Sequence, residues 1–273
     1  MTVLSNDGAS ALKPWALVDT GQVALLDEDP DLGRAIPAER WDAAREQLTT
    51  AAYKLARGGF ASPEEPPDSV CLGYLILEGL VMREVTVAGR PSAELLGPGD
   101  VVRPWSPDAV ELLPRQVSWH VLEPALLAYI GGPLSTQLAA WPEVTDLLID
   151  RSIARAQALA LQRSIAAHVR VDVRLLAFLW HLAERWGIVC PSSVRIDVPL
   201  THATLARMVG ARRPTVTTAL QRLIQLGYIR RDGSAYHVLG EAAQAVAELE
   251  VLSPSRRVVA DPASPLAALT DGR

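Results

Sequence analysis

Two arginines, Arg212 and Arg213, stand side by side ahead of Pro214, and three threonines, Thr215, Thr217 and Thr218, follow closely. Arg222 comes about two helical turns later, and Arg230 and Arg231 close the next apolar run. A guanidinium is charged at every accessible pH. Its rigid fork of donors fits phosphate oxygens and the acceptor edge of guanine. A threonine hydroxyl is short and reaches either kind of partner. The chemistry available here is recognition of anions and polar ring edges, with no covalent step.

Reactive residue types elsewhere are scattered. His120, His168, His181, His202 and His237 form no cluster in the sequence, and no Gly-x-Ser-x-Gly, P-loop, Gly-x-Gly-x-x-Gly or His-Glu-x-x-His is present. His181 and Arg185 share a helix face beside Trp180, where packing is a simpler reading than acid–base chemistry. Cys71 and Cys190 are far apart and show no Cys-x-x-Cys spacing. A zinc or iron–sulfur site usually needs about four ligands, so both read as free thiols, Cys190 in a loop. No catalytic residue, metal ligand or cofactor is expected.

The charge distribution supports the anion reading. The formal net charge is −5. Residues 151–240 nevertheless hold 13 arginines and no lysine against Asp172, Glu184, Asp197 and Asp232, a surplus of +9 beside −14 for the rest. A basic segment on an acidic body is the asymmetry of a protein that meets phosphates with one part. No apolar run approaches the length of a membrane span. Met1 to Trp15 lacks the basic-then-apolar order of a signal peptide. The expectation is a cytoplasmic protein with no membrane partner.

The elements around the arginines follow from the pattern. Thr201 suits a helix N-cap, and Leu205, Ala206 and Val209 give a short amphipathic helix. Gly210 allows a sharp turn. Val216, Ala219, Leu220 and Leu223 then make the inner face of a second helix, with Pro214 in its first turn and Gly227 at its end. Tyr228–Arg231 and Tyr236–Leu239, joined by Asp232-Gly233, read as a hairpin. Helix, turn, helix and hairpin form a winged helix over about Thr201–Leu239. Its second helix fits the DNA major groove, with Arg230 and Arg231 leading into the wing.

Upstream, Val173–Trp186 reads as a helix capped by Gly187. Pro142–His168 reads as a long helix with Leu147, Ala154, Ala158, Leu161 and Ile165 near one stripe and Leu148 and Leu159 beside it. Such a helix often packs against a twin, although Arg151 interrupts the stripe. Val70–Ile130 alternates short apolar runs with turns at Gly79, Gly89, Gly97-Pro-Gly-Asp100 and Glu123-Pro124, as in an all-β roll. Pro37–Arg57 has helical spacing, and Asp27-Glu-Asp-Pro-Asp31 is an acidic turn. The fold class is α+β. Residues 1–66 are an N-terminal extension, 67–140 a β-roll, 141–169 a dimerisation helix, 170–240 the winged helix and 241–273 a tail that starts as helix and is then poorly ordered.

The segment from Leu200 to Ile229 resembles the DNA-binding domain of the Crp/Fnr family. Thr201, Leu205, Ala206, Val209, Gly210, Arg213, Thr215, Val216, Leu220, Leu223, Gly227 and Ile229 match its pattern in register. The resemblance makes Arg213 the guanine-reading arginine. Pro214 and Thr218 replace a glutamate and an arginine that often read bases in the family, which implies a different operator. Upstream, Tyr74-Leu-Ile-Leu-Glu-Gly-Leu-Val81 and Glu94-Leu-Leu-Gly-Pro-Gly-Asp-Val101 look like strand and turn motifs of the family's cyclic-nucleotide-binding roll. Leu26–Leu32, Leu95–Asp100, Leu179–Gly187 and Gly210–Pro214 look like an actinobacterial subgroup. The family acts through a homodimer on double-stranded, near-palindromic DNA, with RNA polymerase as a candidate partner.

The resemblance weakens at the sensor site. Nucleotide-binding members carry Gly-Glu-Leu and then Arg-[ST]-Ala. Arg103 and Pro104 stand in the first place here, and Arg115-Gln-Val in the second. Arg103, Trp105 and Arg115 are the candidate effector pocket, without the ribose carboxylate and without an identified small molecule. Cyclic AMP is not expected to bind. The alternative function is a small-molecule sensor or signalling protein acting through protein contacts, and coupling between roll and winged helix is expected to pass through the long helix.

Overall fold

The computed structural model describes residues 15–63, 67, 71–105 and 112–251. The N-terminal half is an antiparallel sheet with β1 (Val18–Ala24), β2 (Thr49–Leu55), β3 (Gly58–Ala61), β4 (Cys71–Val87), β5 (Arg90–Leu96), β6 (Val101–Val102) and β7 (Arg115–Gly131). The strand order is β1-β2-β7-β4-β5, with β3 added to β7 and β6 to β4. Two short helices, α1 (Leu25–Glu28) and α2 (Trp41–Gln47), lie between β1 and β2.

Two expectations change here. Residues 18–61 are not an extension ahead of the roll, because β1–β3 are strands of its sheet. The helix expected over Pro37–Arg57 ends at Gln47, and the chain continues as β2 beside β7. Alanine and leucine at this spacing satisfy a strand as well as a helix. The ladder decides the matter by pairing Ala52 with Ala128 and Leu55 with Ala125.

The runs split at Gly79 and at Glu123-Pro124 are bends in continuous strands rather than breaks. β4 and β7 pair along their length, with register shifts between Ile76 and Val81. Gly79 has φ +87°, and a Cβ there would stand 2.2 Å from the Pro124 carbonyl oxygen. Only glycine lets the two strands fold over each other at that point.

A short helix α3 (Pro133–Gln137) leads into α4 (Pro142–Ala166). Val144, Leu147, Leu148 and Ile165 are buried, whereas Ile149, Ile153, Leu159 and Leu161 are exposed. Ile149, Ile153, Ala156 and Ala160 recur at four- and three-residue steps, the spacing of a coiled-coil seam. This seam differs from the stripe expected from sequence. Arg151 does not interrupt it, because its guanidinium turns inward to Asp29 and Asp31 of the acidic turn.

The C-terminal part is α5 (Val171–Trp186), the hairpin β8 (Gly187–Cys190)–β9 (Ser193–Ile196), α6 (His202–Met208), α7 (Arg213–Gln225), the hairpin β10 (Ile229–Asp232)–β11 (Ala235–Val238) and α8 (Ala242–Val251). Its sheet runs β10-β11-β9-β8. The hairpin β8–β9 was not legible in the sequence. Gly187 is extended rather than left-handed and opens β8, and Cys190 ends that strand rather than sitting in a loop. The tail beyond Val251 lies outside the described residues.

Roll and winged helix share one core. Leu80, Met82, Ala93 and Leu95 of β4 and β5 cluster with Leu175, Leu179, Leu205 and Val216. Arg185 of α5 binds the buried Asp100 at 2.7 Å, and Arg207 of α6 binds Glu84 at 3.0 Å. The roll therefore meets the winged helix directly, as well as through α4.

Candidate nucleic-acid interface and effector cavity

The first helix of the pair is set by its cap. Thr201 Oγ1 accepts the Thr204 N–H at 3.0 Å, which satisfies one of the orphan donors of α6. Gly210 turns the chain with φ +61°. Arg174 of α5 fastens that turn by donating to the carbonyls of Val209 at 2.7 Å and Gly210 at 3.2 Å. Val216, Ala219, Leu220 and Leu223 bury one face of α7. The opposite face, from Arg212 to Thr215, is exposed, as are Thr218 and Arg222.

The predicted contact residues separate into two groups. Arg212 and Arg213 make no side-chain hydrogen bond or ion pair among the described residues, and neither does Thr215. They project from the N-terminal turn of α7 with every donor available. The other six are engaged. Thr201 caps α6, and Thr218 donates to the Pro214 carbonyl at 3.3 Å. Arg222 lies 3.3 Å from the buried Asp172. Arg230 approaches His237 Nδ1 at 3.4 Å. Arg231 donates to the Gly233 carbonyl at 3.1 Å and lies 5.6 Å from the Tyr236 ring centroid.

Thr217, the sixth, joins a residue that sequence reasoning missed. Thr217 Oγ1 donates to the Arg213 carbonyl at 3.1 Å and lies 2.9 Å from His202 Nδ1. His202 Nε2 lies 3.5 Å from Arg231 NH1. All three contacts are satisfied at once only if the imidazole is neutral with its proton on Nδ1. Burial first, and then the charges of Arg231 and Arg213, hold the His202 pKa below the ordinary histidine value. His202 thus joins α6, α7 and the wing, in the wall of a concavity with Thr201, Arg213 and Arg231. Its signal in the sequence was its place directly after the helix cap.

A cavity of about 630 Å³ opens between the roll and α4. Arg103 and Trp105 line it as expected; Arg115 does not. Arg115 begins β7 opposite Val87, four residues before the lining Trp119, which places it toward the hairpin tip. Two arginines not foreseen, Arg83 and Arg155, line the cavity instead. Both bind the buried Glu94, Arg83 at 3.1 Å and Arg155 at 2.7 Å, and Arg155 also donates to the Val101 carbonyl. Among the described residues no group of three or more His, Cys, Asp or Glu could hold a metal ion.

Residues 173–243 match the family model of the Crp-like helix-turn-helix domain. The chain is 30% identical over 79 residues to the global nitrogen regulator of Synechocystis sp., covering 29% of this chain and 35% of that protein. It is 28% identical over 176 residues to the CRP-like cAMP-activated global transcriptional regulator of Mycobacterium tuberculosis, covering 63% of this chain and 75% of that one. The chain thus spans about a third of the length of the first curated relatives it matches. A CooA mutant from Carboxydothermus hydrogenoformans is similar in structure, with TM-score 0.60 and 15% identity over 87% of this chain and 99% of that one. FixK2 from Bradyrhizobium japonicum gives TM-score 0.54 and 17% identity over 73% and 96%. At those identities the two structures speak for the fold: a β-roll, a long helix and a winged helix.

Proposed function

We propose that the chain is a transcription regulator of the Crp/Fnr type that binds double-stranded DNA through α7 and the wing, a reading supported by the match of residues 173–243 to the Crp-like helix-turn-helix domain. The observation that carries this reading is the pair of guanidiniums of Arg212 and Arg213, without a hydrogen bond or ion pair among the described residues, at the exposed head of a helix whose other face is locked in the core. In a helix-turn-helix the N-terminal residues of the second helix reach base edges in the major groove. Arg213 reads guanine N7 and O6 in this proposal, supported by its exposure at the head of α7. Arg230 and Arg231 contact backbone phosphates in the same proposal, supported by their position on the wing strand β10, and His202 bridges α7 and the wing.

The protein acts as a homodimer in this proposal. Ile149 and Ile153 are each about half exposed, at 52% and 51%, on a seam that continues through Ala156 and Ala160. A second copy of α4 covers such a seam, and the operator is then nearly two-fold symmetric. The cavity between roll and α4 is the effector site. Pro104 stands where nucleotide-binding relatives carry their ribose carboxylate, so the effector is not cyclic AMP. RNA polymerase is the second protein partner, the chain works in the cytoplasm, and it catalyses no reaction. No helix of the described residues is long and apolar enough to cross a membrane.

Mapping the protein's binding sites across its genome tests the reading directly. The expected result is a recurring near-palindrome that the purified protein binds far more tightly than scrambled DNA. Weak binding that is equal for all sequences would overturn it.

A further inference from the structure

The polar groups that face the effector cavity are unusual in kind. Thr145 donates its hydroxyl hydrogen to the carbonyls of Leu138 or Trp141, at 3.3 and 3.4 Å, and Ser152 donates to Leu148 at 2.9 Å. Both hydroxyls are therefore committed to the helix. The donors left for a ligand are guanidinium N–H groups. Arg83, Arg103 and Arg155 line the cavity, and Glu94 behind them is the sole carboxylate bound to any of the three among the described residues. The formal balance is two positive charges. Arg103 carries no hydrogen bond or ion pair of its own among the described residues, and its guanidinium lies 5.7 Å from the Trp105 ring centroid. Among the described residues the remaining wall is apolar, with Trp105 and Trp119 on the side of the roll. The indole N–H of Trp119 is already bonded to Ser62 at 3.0 Å, so only its ring is offered inward.

The geometry points to an amphipathic organic anion as the ligand: a carboxylate or sulfonate head with an aromatic body, and no requirement for hydroxyl groups. The head meets Arg103 and the free N–H groups of Arg83. The body fills the cavity against the two indoles, whose volume of about 630 Å³ is that of an ordinary small-molecule site. Among the described residues that line the cavity, a ribose or other sugar finds no carboxylate to accept its hydroxyls. This inference rests on the reading of the cavity as the effector site and supplies the ligand chemistry that reading leaves open. Arg155 gives the ligand a route outward. It holds Glu94, and the adjacent Ala93 carbonyl accepts from Gln162 at 2.6 Å, which also donates to Met208 of α6 at 3.3 Å.

The test uses the full-length protein and two fluorescent probes of equal shape, 1-pyrenebutyrate and the neutral 1-pyrenebutanol. The acid should bind about ten- to a hundredfold more tightly than the alcohol at low salt, the worth of one hydrogen bond to a charged group. Arg103 is exposed, so Arg103→Ala should fold. It should weaken the acid several-fold while leaving the alcohol unchanged, and Arg103→Lys should restore most of the difference. Millimolar cyclic AMP should displace neither probe. Equal affinities for acid and alcohol, equal weakening of both by Arg103→Ala, or displacement by cyclic AMP would each overturn the inference. Operator binding is measured on the same samples. Loss of the anion preference with operator recognition intact removes this inference alone; loss of operator recognition with the anion still preferred removes the proposed function alone.

Discussion

Replacing Arg213 with alanine separates base reading from phosphate contact. Arg213 is exposed and makes no side-chain bond within the chain, so its loss should change folding stability by less than about 0.5 kcal/mol. A bidentate arginine–guanine pair is worth about 1–3 kcal/mol of discrimination. A dimer uses two half-sites, so the operator should lose about 2–6 kcal/mol, roughly thirtyfold or more in affinity. Scrambled DNA offers no matched guanine and should lose far less. Arg231→Ala is the contrast. Arg231 starts from contacts with Gly233, Tyr236 and His202, and a phosphate contact made from there carries no sequence information. Its loss should weaken operator and scrambled DNA alike and lower the salt slope by about one per contact. Fluorescence anisotropy of both variants on both DNAs at several salt concentrations measures all four quantities. Equal losses for Arg213→Ala on the two sequences, with a reduced salt slope, would make Arg213 a phosphate clamp and refute the argument.

Three further perturbations address other parts of the molecule. Ile149→Glu with Ile153→Glu should turn a dimer into a monomer in light scattering at micromolar protein; an unchanged dimer mass would place the interface elsewhere. Glu94→Gln leaves Arg83 and Arg155 facing each other without their carboxylate. Breaking a buried pair costs about 3–5 kcal/mol, and the partial exposure of both arginines, 34% and 23%, brings the expected loss in urea unfolding below about 3 kcal/mol; no loss would show that Glu94 is not needed as a charge. His120, His181 and His202 all have pKa values held down, first by burial. A lowered histidine pKa means the unfolded chain binds more protons, so this stability is present above about pH 6.5 and is lost as the pH falls below it. Melting temperature should decline from pH 7.5 toward pH 5.5, and a rise over that range would contradict the assignment.

The winged helix was legible because its signals are local. A threonine cap, glycines at two turns and a four-residue inner face leave few alternatives over Thr201–Leu239. The roll was half legible. Its turns were visible, but Gly79 and Pro124 looked like strand ends, since a bend kept in register by a distant partner has no local mark. The same holds for β2, whose alanines and leucines fit either periodicity until β7 lies beside them. At the site, charge type was readable and charge partners were not. Arg222 looked like Arg213 in the sequence, yet Asp172, fifty residues earlier, holds the one, and among the described residues no side chain holds the other. Arg83, Arg155 and His202 were missed for the same reason, because each gains its role from a neighbour on another element.

The seam between roll and winged helix governs how this molecule can be recombined. Leu80, Met82, Ala93 and Leu95 share one core with residues of α5 and α6, and Trp186 lies against Gly97 so closely that a Cβ there would meet its indole nitrogen at 3.2 Å. A reading head borrowed from another regulator and spliced on after α4 would present foreign shapes to that face. The same head expressed alone would bare a patch prone to self-association. Grafting therefore succeeds only if β4, β5 and the Gly97–Asp100 turn travel with α5. Point substitution on the outer side of α7 carries no such constraint, so under the proposed function changing the DNA address of this chain is a smaller step than exchanging its whole reading head.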